Sequence, residues 1–169
     1  MRPGRWVLGA IVASSAVLAA SALASAAPKH ELDRSDLARV RQATVQFHDY
    51  SVADTTGGYD LLDVCFDDPA NGAGMGYHLV KGINDTHLDP LQPEALVYEP
   101  TADGHPGHLV AVEYIVPMSL SATAPEVMGM PLHANPGLGL WVLHAWVWRG
   151  NPDGVMADFN PNVALCPGS

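Results

Sequence analysis

The stretch that decides the fold is His108 to Val116, HLVAVEYIV, read together with Leu138 to Arg149, LGLWVLHAWVWR. Both are runs of β-branched, aromatic and aliphatic residues bounded by Gly, Pro and Asn, the composition of strands between turns. In the first, Leu109, Ala111, Glu113 and Ile115 alternate with Val110, Val112, Tyr114 and Val116. Both faces of such a strand are apolar, so Glu113 is expected inside. In the second, His144 shares a face with Val142, Trp146 and Trp148, while Trp141, Leu143, Ala145 and Val147 take the other.

Working outward, the spacing predicts further strands over Tyr59 to Phe66, Met75 to Val80 and Leu96 to Glu99, separated by turns rich in Gly, Pro, Asn and Asp. His78 falls between Gly76 and Val80 on one face of its strand, and Glu99 shares a face with Val97 and Ala95. Before the strands, Asp36 to about Ala53 reads as one helix: Leu37, Val40, Thr44 and Phe47 form a stripe, His48 lies at its edge, and Asp33 or Ser35 stands ready to cap it. Gly57 and Gly58 end that region. The expected class is α+β, with one N-terminal helix packed on a small antiparallel sheet or a partly closed β-barrel.

The chain opens on Arg2 and Arg5, an apolar run from Trp6 to Ala20, and the small residues Ala24, Ser25 and Ala26. This is the pattern of a signal peptide over residues 1–26, cut after Ala26. An uncleaved anchor from Trp6 to Ala27 is the competing reading, but Ala and Ser are weakly apolar and no basic cluster follows. Residues 27–169 then form a single domain, secreted or periplasmic, with no stable membrane insertion after cleavage. That length suffices for a real core.

Charge narrows the partners. The chain carries 18 acidic and 8 basic residues, a net charge of −10, and after Arg41 the only basic residues are Lys81 and Arg149. Nucleic acid and anionic membrane surfaces require clustered Lys and Arg, so a metal ion or a small molecule is the better expectation. The only cysteines, Cys65 and Cys166, read as a disulfide in an oxidising compartment, worth about 4 kcal/mol by closing a long loop. They lack the close spacing of a thiolate metal site.

His78, Glu113, His144 and Glu99 therefore arise on four strands at positions that face a core. A buried imidazole or carboxylate needs a partner. Singly, each is more often satisfied by a Tyr, a Trp or the backbone; together, two His and a Glu with a fourth position open form an ordinary site for a divalent ion such as zinc, iron or copper. His48 is a reserve ligand, and Glu99 the proton acceptor to test if the site is catalytic. No short ligand motif supports the assignment.

Two other patterns compete. Met128, Met130 and His133 in VMGMPLHANPG combine thioether and imidazole, which suits reduced copper, although Met is also the usual filler of irregular gaps. The run WVLHAWVW places Trp on both faces of one strand and suggests a non-enzymatic binding module with a Trp-lined pocket for a small apolar ligand. A purely structural exported domain is the third alternative. No nucleophile elbow, phosphate loop or dinucleotide fingerprint is present.

The segments MGYHLVKG, LDPLQPEALVYEP, LVAVEYIVP and LHAWVWRGNPDGVMADFNP, with FHDY and the flanking Cys65 and Cys166, resemble a family of small exported bacterial proteins to which no activity is assigned. The resemblance implies export and one compact domain, and it supplies no chemistry. Its segments contain His48, His78, Glu99, Glu113 and His144 but not the Met128 to His133 loop, which favours the strand cluster over the copper loop.

Overall fold

A computed structural model describes residues 32–169; the signal peptide expected at residues 1–26 lies outside them. The helical region is divided where the sequence suggested continuity. Helix α1 (Arg34–Thr44) starts at Asp33, whose carboxylate accepts from the Ser35 backbone N–H at 2.8 Å. A single 3-10 turn (Val45–His48) follows, and α2 (Tyr50–Thr55) begins afresh at Asp49, which accepts from the Ser51 N–H at 3.0 Å. Asp49 is extended, with φ −84° and ψ 104°, because its short carboxylate does more as a cap than inside a helix. Beyond α2 the backbone turns at Gly58, whose φ of +71° favours glycine.

Eight strands follow: β1 (Asp60–Asp68), β2 (Ala73–Val80), β3 (Ala95–Pro100), β4 (Pro106–Pro117), β5 (Glu126–Val127), β6 (Met130–Pro131), β7 (His133–Asn135) and β8 (Leu140–Ala145). Six of them make one curled antiparallel sheet in the order β1-β2-β3-β4-β8-β7, and β5 and β6 form a separate small hairpin. The molecule is thus mostly β with short helices on one side, in keeping with an α+β reading. Among the described residues, no helix is long and apolar enough to cross a membrane.

The alternation expected in β4 holds from Ala111 onward. Val112, Tyr114 and Val116 join Leu79, Leu96, Tyr98 and Leu143 in the main core, against Val40, Phe47 and Ala53 of the helical region. Leu109 joins that side too, contrary to strict alternation: Val97 pairs with Ala111 and Tyr98 with Leu109, so Val110 is an extra residue that flips the pattern. The freed Val110 carbonyl accepts from the N–H groups of both Trp148 and Arg149. That is why β8 ends at Ala145 rather than running to Arg149: the chain leaves the ladder, and the Trp146 N–H bonds instead to the Val155 carbonyl.

The irregular tail is tied down at several points. Cys65 and Cys166 form a disulfide, and the Cys166 N–H also donates to Asp67 Oδ2 at 2.8 Å. Gly74 and Asn160 exchange backbone hydrogen bonds at 3.1 and 2.9 Å. The approach is so close that a Cβ on Gly74 would lie 2.2 Å from the Ala164 carbonyl oxygen, so only glycine admits the tail there.

Candidate metal centre

The site lies on the sheet face opposite the helices. Glu113 on β4 and His144 on β8 are direct cross-strand partners, which brings their Cβ atoms about 5 Å apart. His78 on β2 is two strands away from Glu113 and reaches it over β3, where the intervening residues on that face are Ala95 and Val97. Ala95 is paired with Glu113 on one side and Val80 on the other, and its small side chain leaves the space the imidazole and carboxylate use. His78 Nε2 stands 3.3 Å from Glu113 Oε2, and His144 Nε2 stands 3.5 Å from Glu113 Oε1. All three residues are buried, at 5, 6 and 2% exposure for His78, Glu113 and His144.

Two further groups complete the cluster, and sequence reasoning assigned neither a part in it. Asp158 Oδ1 lies 3.6 Å from His144 Nδ1, on the side of the ring away from Glu113. His133 Nε2 in turn lies 2.9 Å from the same oxygen. Asp158 sits in the irregular tail, where no periodicity points to it; the only hint was Cys166, which brings that tail back to the sheet. The tail is fixed locally by the Trp146 indole, which donates to the Ala157 carbonyl at 2.5 Å, and by Asn151, which donates to the Phe159 carbonyl at 2.8 Å.

Despite these approaches, His78 Nδ1, both ring nitrogens of His144 and Asp158 Oδ1 are buried without a well-formed hydrogen bond. Each such atom costs about 1–3 kcal/mol if left so. Burial pulls the His78 imidazole down to about 3, with His144 adding to the fall against the Gly76 backbone, so this ring is neutral. Burial also pulls on His144, but Glu113 and Asp158 outweigh it and hold its pKa above the ordinary imidazole value. Burial pushes the Glu113 carboxyl up; His144 and His133 oppose that and Asp158 reinforces it. The approach of His144 lowers Asp158 against the effect of its own partial burial, and His133 lowers it further. Of the two imidazoles, His144 is thus the one whose charged form its carboxylate neighbours favour.

The other candidates lie elsewhere. Glu99 is clamped by Arg149, whose Nη2 donates to both carboxylate oxygens at 2.6 and 2.7 Å, and so takes no part in the cluster. It also stands four residues along β3 from Ala95, the strand partner of Glu113, and so at the far end of that strand from the cluster. His48 is exposed and packs edge-on against Trp148, with ring centroids 4.2 Å apart. Met128 and Met130 pack against the main core, apart from the cluster; of that loop only His133 comes to the site.

A cavity of about 420 Å³ opens directly over His78, Glu113 and His144. Its walls are mainly aliphatic and aromatic, and none of its lining residues is a tryptophan. The tryptophans act as fasteners instead: Trp141 donates to the Ser121 carbonyl, Trp146 to that of Ala157 and Trp148 to the Thr44 hydroxyl. The chain matches no family model, no curated protein and no solved structure.

Proposed function

We propose that this is an exported metalloprotein in which His78, Glu113 and His144 bind one divalent ion, with a coordination position facing the cavity. The observation that carries the reading is the convergence of three donors from three strands, all within 4.8 Å of one another, with both ring nitrogens of His144 and Nδ1 of His78 left without hydrogen bonds. Separations of 3.3 and 3.5 Å, one to each oxygen of Glu113, are long for charge-assisted hydrogen bonds and close enough for the two imidazoles and the carboxylate to share an ion whose ligands stand about 2.0–2.1 Å away. Two imidazoles and one carboxylate suit zinc or ferrous iron, and the absence of sulfur from the set disfavours cuprous copper. Asp158, 3.6 Å from the far nitrogen of His144, stands where a carboxylate commonly backs a metal-bound imidazole. When bound, such an ion acts as a Lewis acid and lowers the pKa of a water on its open position. Export is supported by the signal-like N-terminus and by the disulfide, which persists in an oxidising compartment.

Elemental analysis of mature protein purified without chelators tests this directly. One equivalent of zinc or iron is expected, lost in Glu113→Gln and His144→Ala while the fold, followed by circular dichroism, is retained. Affinity should rise with pH until His144 has lost its proton, because its raised pKa makes the metal compete with that proton. Native protein that is metal-free and takes up neither zinc nor iron nor copper overturns the proposal.

A further inference from the structure

The cavity above the cluster also has a chemistry, and it narrows what can sit beside the ion. Phe66, Met75, Ile115, Leu140, Val142 and Phe159 supply most of its wall. No Lys or Arg is among its lining residues, and its titratable groups are His78, Glu113, His144, His133 and Asp158, all belonging to the cluster or touching it. At about 420 Å³ it accommodates on the order of a dozen non-hydrogen atoms, taking roughly 30 Å³ for each water-sized unit. The cavity is therefore apolar along its walls and polar in one place.

We infer that this cavity takes a compact, uncharged, mainly hydrocarbon molecule bearing one oxygen donor, an alcohol or a ketone, whose oxygen meets the ion held by His78, Glu113 and His144. The inference rests on the metal-centre reading and adds the class of ligand. Charge balance excludes the acid of the same length. A dication with the Glu113 and Asp158 carboxylates and neutral imidazoles sums to zero, so a bound carboxylate would leave one uncompensated negative charge against apolar walls with no Lys or Arg to meet it, and His133 already faces Asp158. An alcohol or ketone adds no charge, satisfies the open coordination position, and buries its hydrocarbon against the walls. Leu138, 57% exposed, is the lining residue at the lip and so the place where charge can be added without disturbing the core.

The experiment uses the mature protein in zinc-loaded and metal-free forms, with zinc content measured on each sample. Octan-1-ol, octan-2-one and octanoate are titrated by calorimetry. The alcohol and ketone are expected to bind saturably and at least about tenfold tighter than octanoate, and about tenfold tighter with zinc than without it. Leu138→Arg should bring octanoate close to the alcohol while leaving zinc content unchanged. Protein that holds one equivalent of zinc yet binds none of the three, prefers octanoate, or binds the alcohol equally well without zinc overturns the ligand inference and leaves the metal centre standing. Failure to hold zinc, iron or copper at all is read from elemental analysis alone and removes the metal centre and this inference together.

Discussion

The two faces of the sheet are built from the same strands by opposite rules. On the helix side every buried polar group near the centre is answered: the Tyr98 hydroxyl donates to the Phe47 carbonyl at 2.6 Å, and the Tyr59 hydroxyl to that of Pro93 at 2.9 Å. On the cavity side, one residue along in each strand, His78 and His144 keep ring nitrogens with no hydrogen-bond partner. β4 makes the contrast sharpest, since Tyr114 donates to the Pro90 carbonyl on one face while Glu113, its neighbour, meets only imidazoles on the other. A sheet that could satisfy both faces and satisfies one has traded stability for an unsatisfied site, which is the usual mark of function.

The comparison breaks first if the helix side does not carry the stability. Leu96→Ala removes a fully buried side chain from the main core, and the expected loss is about 3 kcal/mol, measured by urea unfolding of the metal-free protein. A loss below about 1 kcal/mol would mean that the core collapses easily and that the two faces differ less than their packing says. On the cavity side the largest effect should appear in binding. Asp158→Asn is expected to weaken zinc affinity about 10- to 100-fold with little change in unfolding midpoint, because it alters the carboxylate behind His144 and none of the three ligands. Unchanged affinity would reduce Asp158 to a surface partner of His133.

How much of this was legible in the sequence divides along the same line. Glu113, His144 and His78 were readable because each sits in an apolar run long enough for a period of two to fix its face, and β4 and β8 hold their register from Val112 to Pro117 against Leu140 to Ala145. Leu109 was misplaced because a bulge at Val110 inserts a residue, and alternation read from sequence does not show where the count slips; Glu99 is out of the cluster because it stands four residues along β3 from Ala95, where Arg149 holds it. Trp148 and Arg149 were assigned to a strand because their composition continues the pattern, but the Val110 carbonyl draws their N–H groups out of the ladder. Asp158 lay beyond any periodic signal, since a tail held by a disulfide, an indole and an Asn–Gly exchange has no repeat to read. The division of the helix at Asp49 was visible in principle, because Asp-x-Ser is a cap whether it stands at the start of a helical stretch or inside one.

A sharper version of the contrast replaces an unsatisfied group by an apolar one of similar size. His78→Leu removes a neutral ring with an unpartnered nitrogen and should raise the stability of the metal-free protein by up to about 1 kcal/mol while abolishing zinc binding. Chemical denaturation with and without zinc distinguishes the two contributions. A variant less stable than the parent in the absence of metal would show that the ring stabilises Glu113 by more than its own burial costs, and the cluster would then be a structural pairing.

The smallest effect concerns a second buried carboxylate, one that is answered by the backbone. Glu94 Oε2 accepts from the Ile115 N–H at 3.2 Å, extending the β3–β4 ladder with a side chain, and burial pushes its pKa up to about 7 against that hydrogen bond. A carboxyl whose pKa is higher folded than unfolded gives its full stability below the unfolded value, near 4.5, and loses it as pH rises through about 7. Glu94 should therefore subtract stability as pH rises from about 4.5 through about 7, and Glu94→Gln should remove that contribution, about 1 kcal/mol after allowance for the solvent the group still sees. Glu113 contributes with the same sign and His78, whose pKa burial lowers to about 3, with the opposite sign below about pH 6.5, so the parent and the variant must be compared at each pH. An identical pH profile in the two proteins would place the whole dependence on the cavity face, and the amide should in either case leave zinc affinity untouched, because Glu94 is no part of the cluster formed by His78, Glu113 and His144.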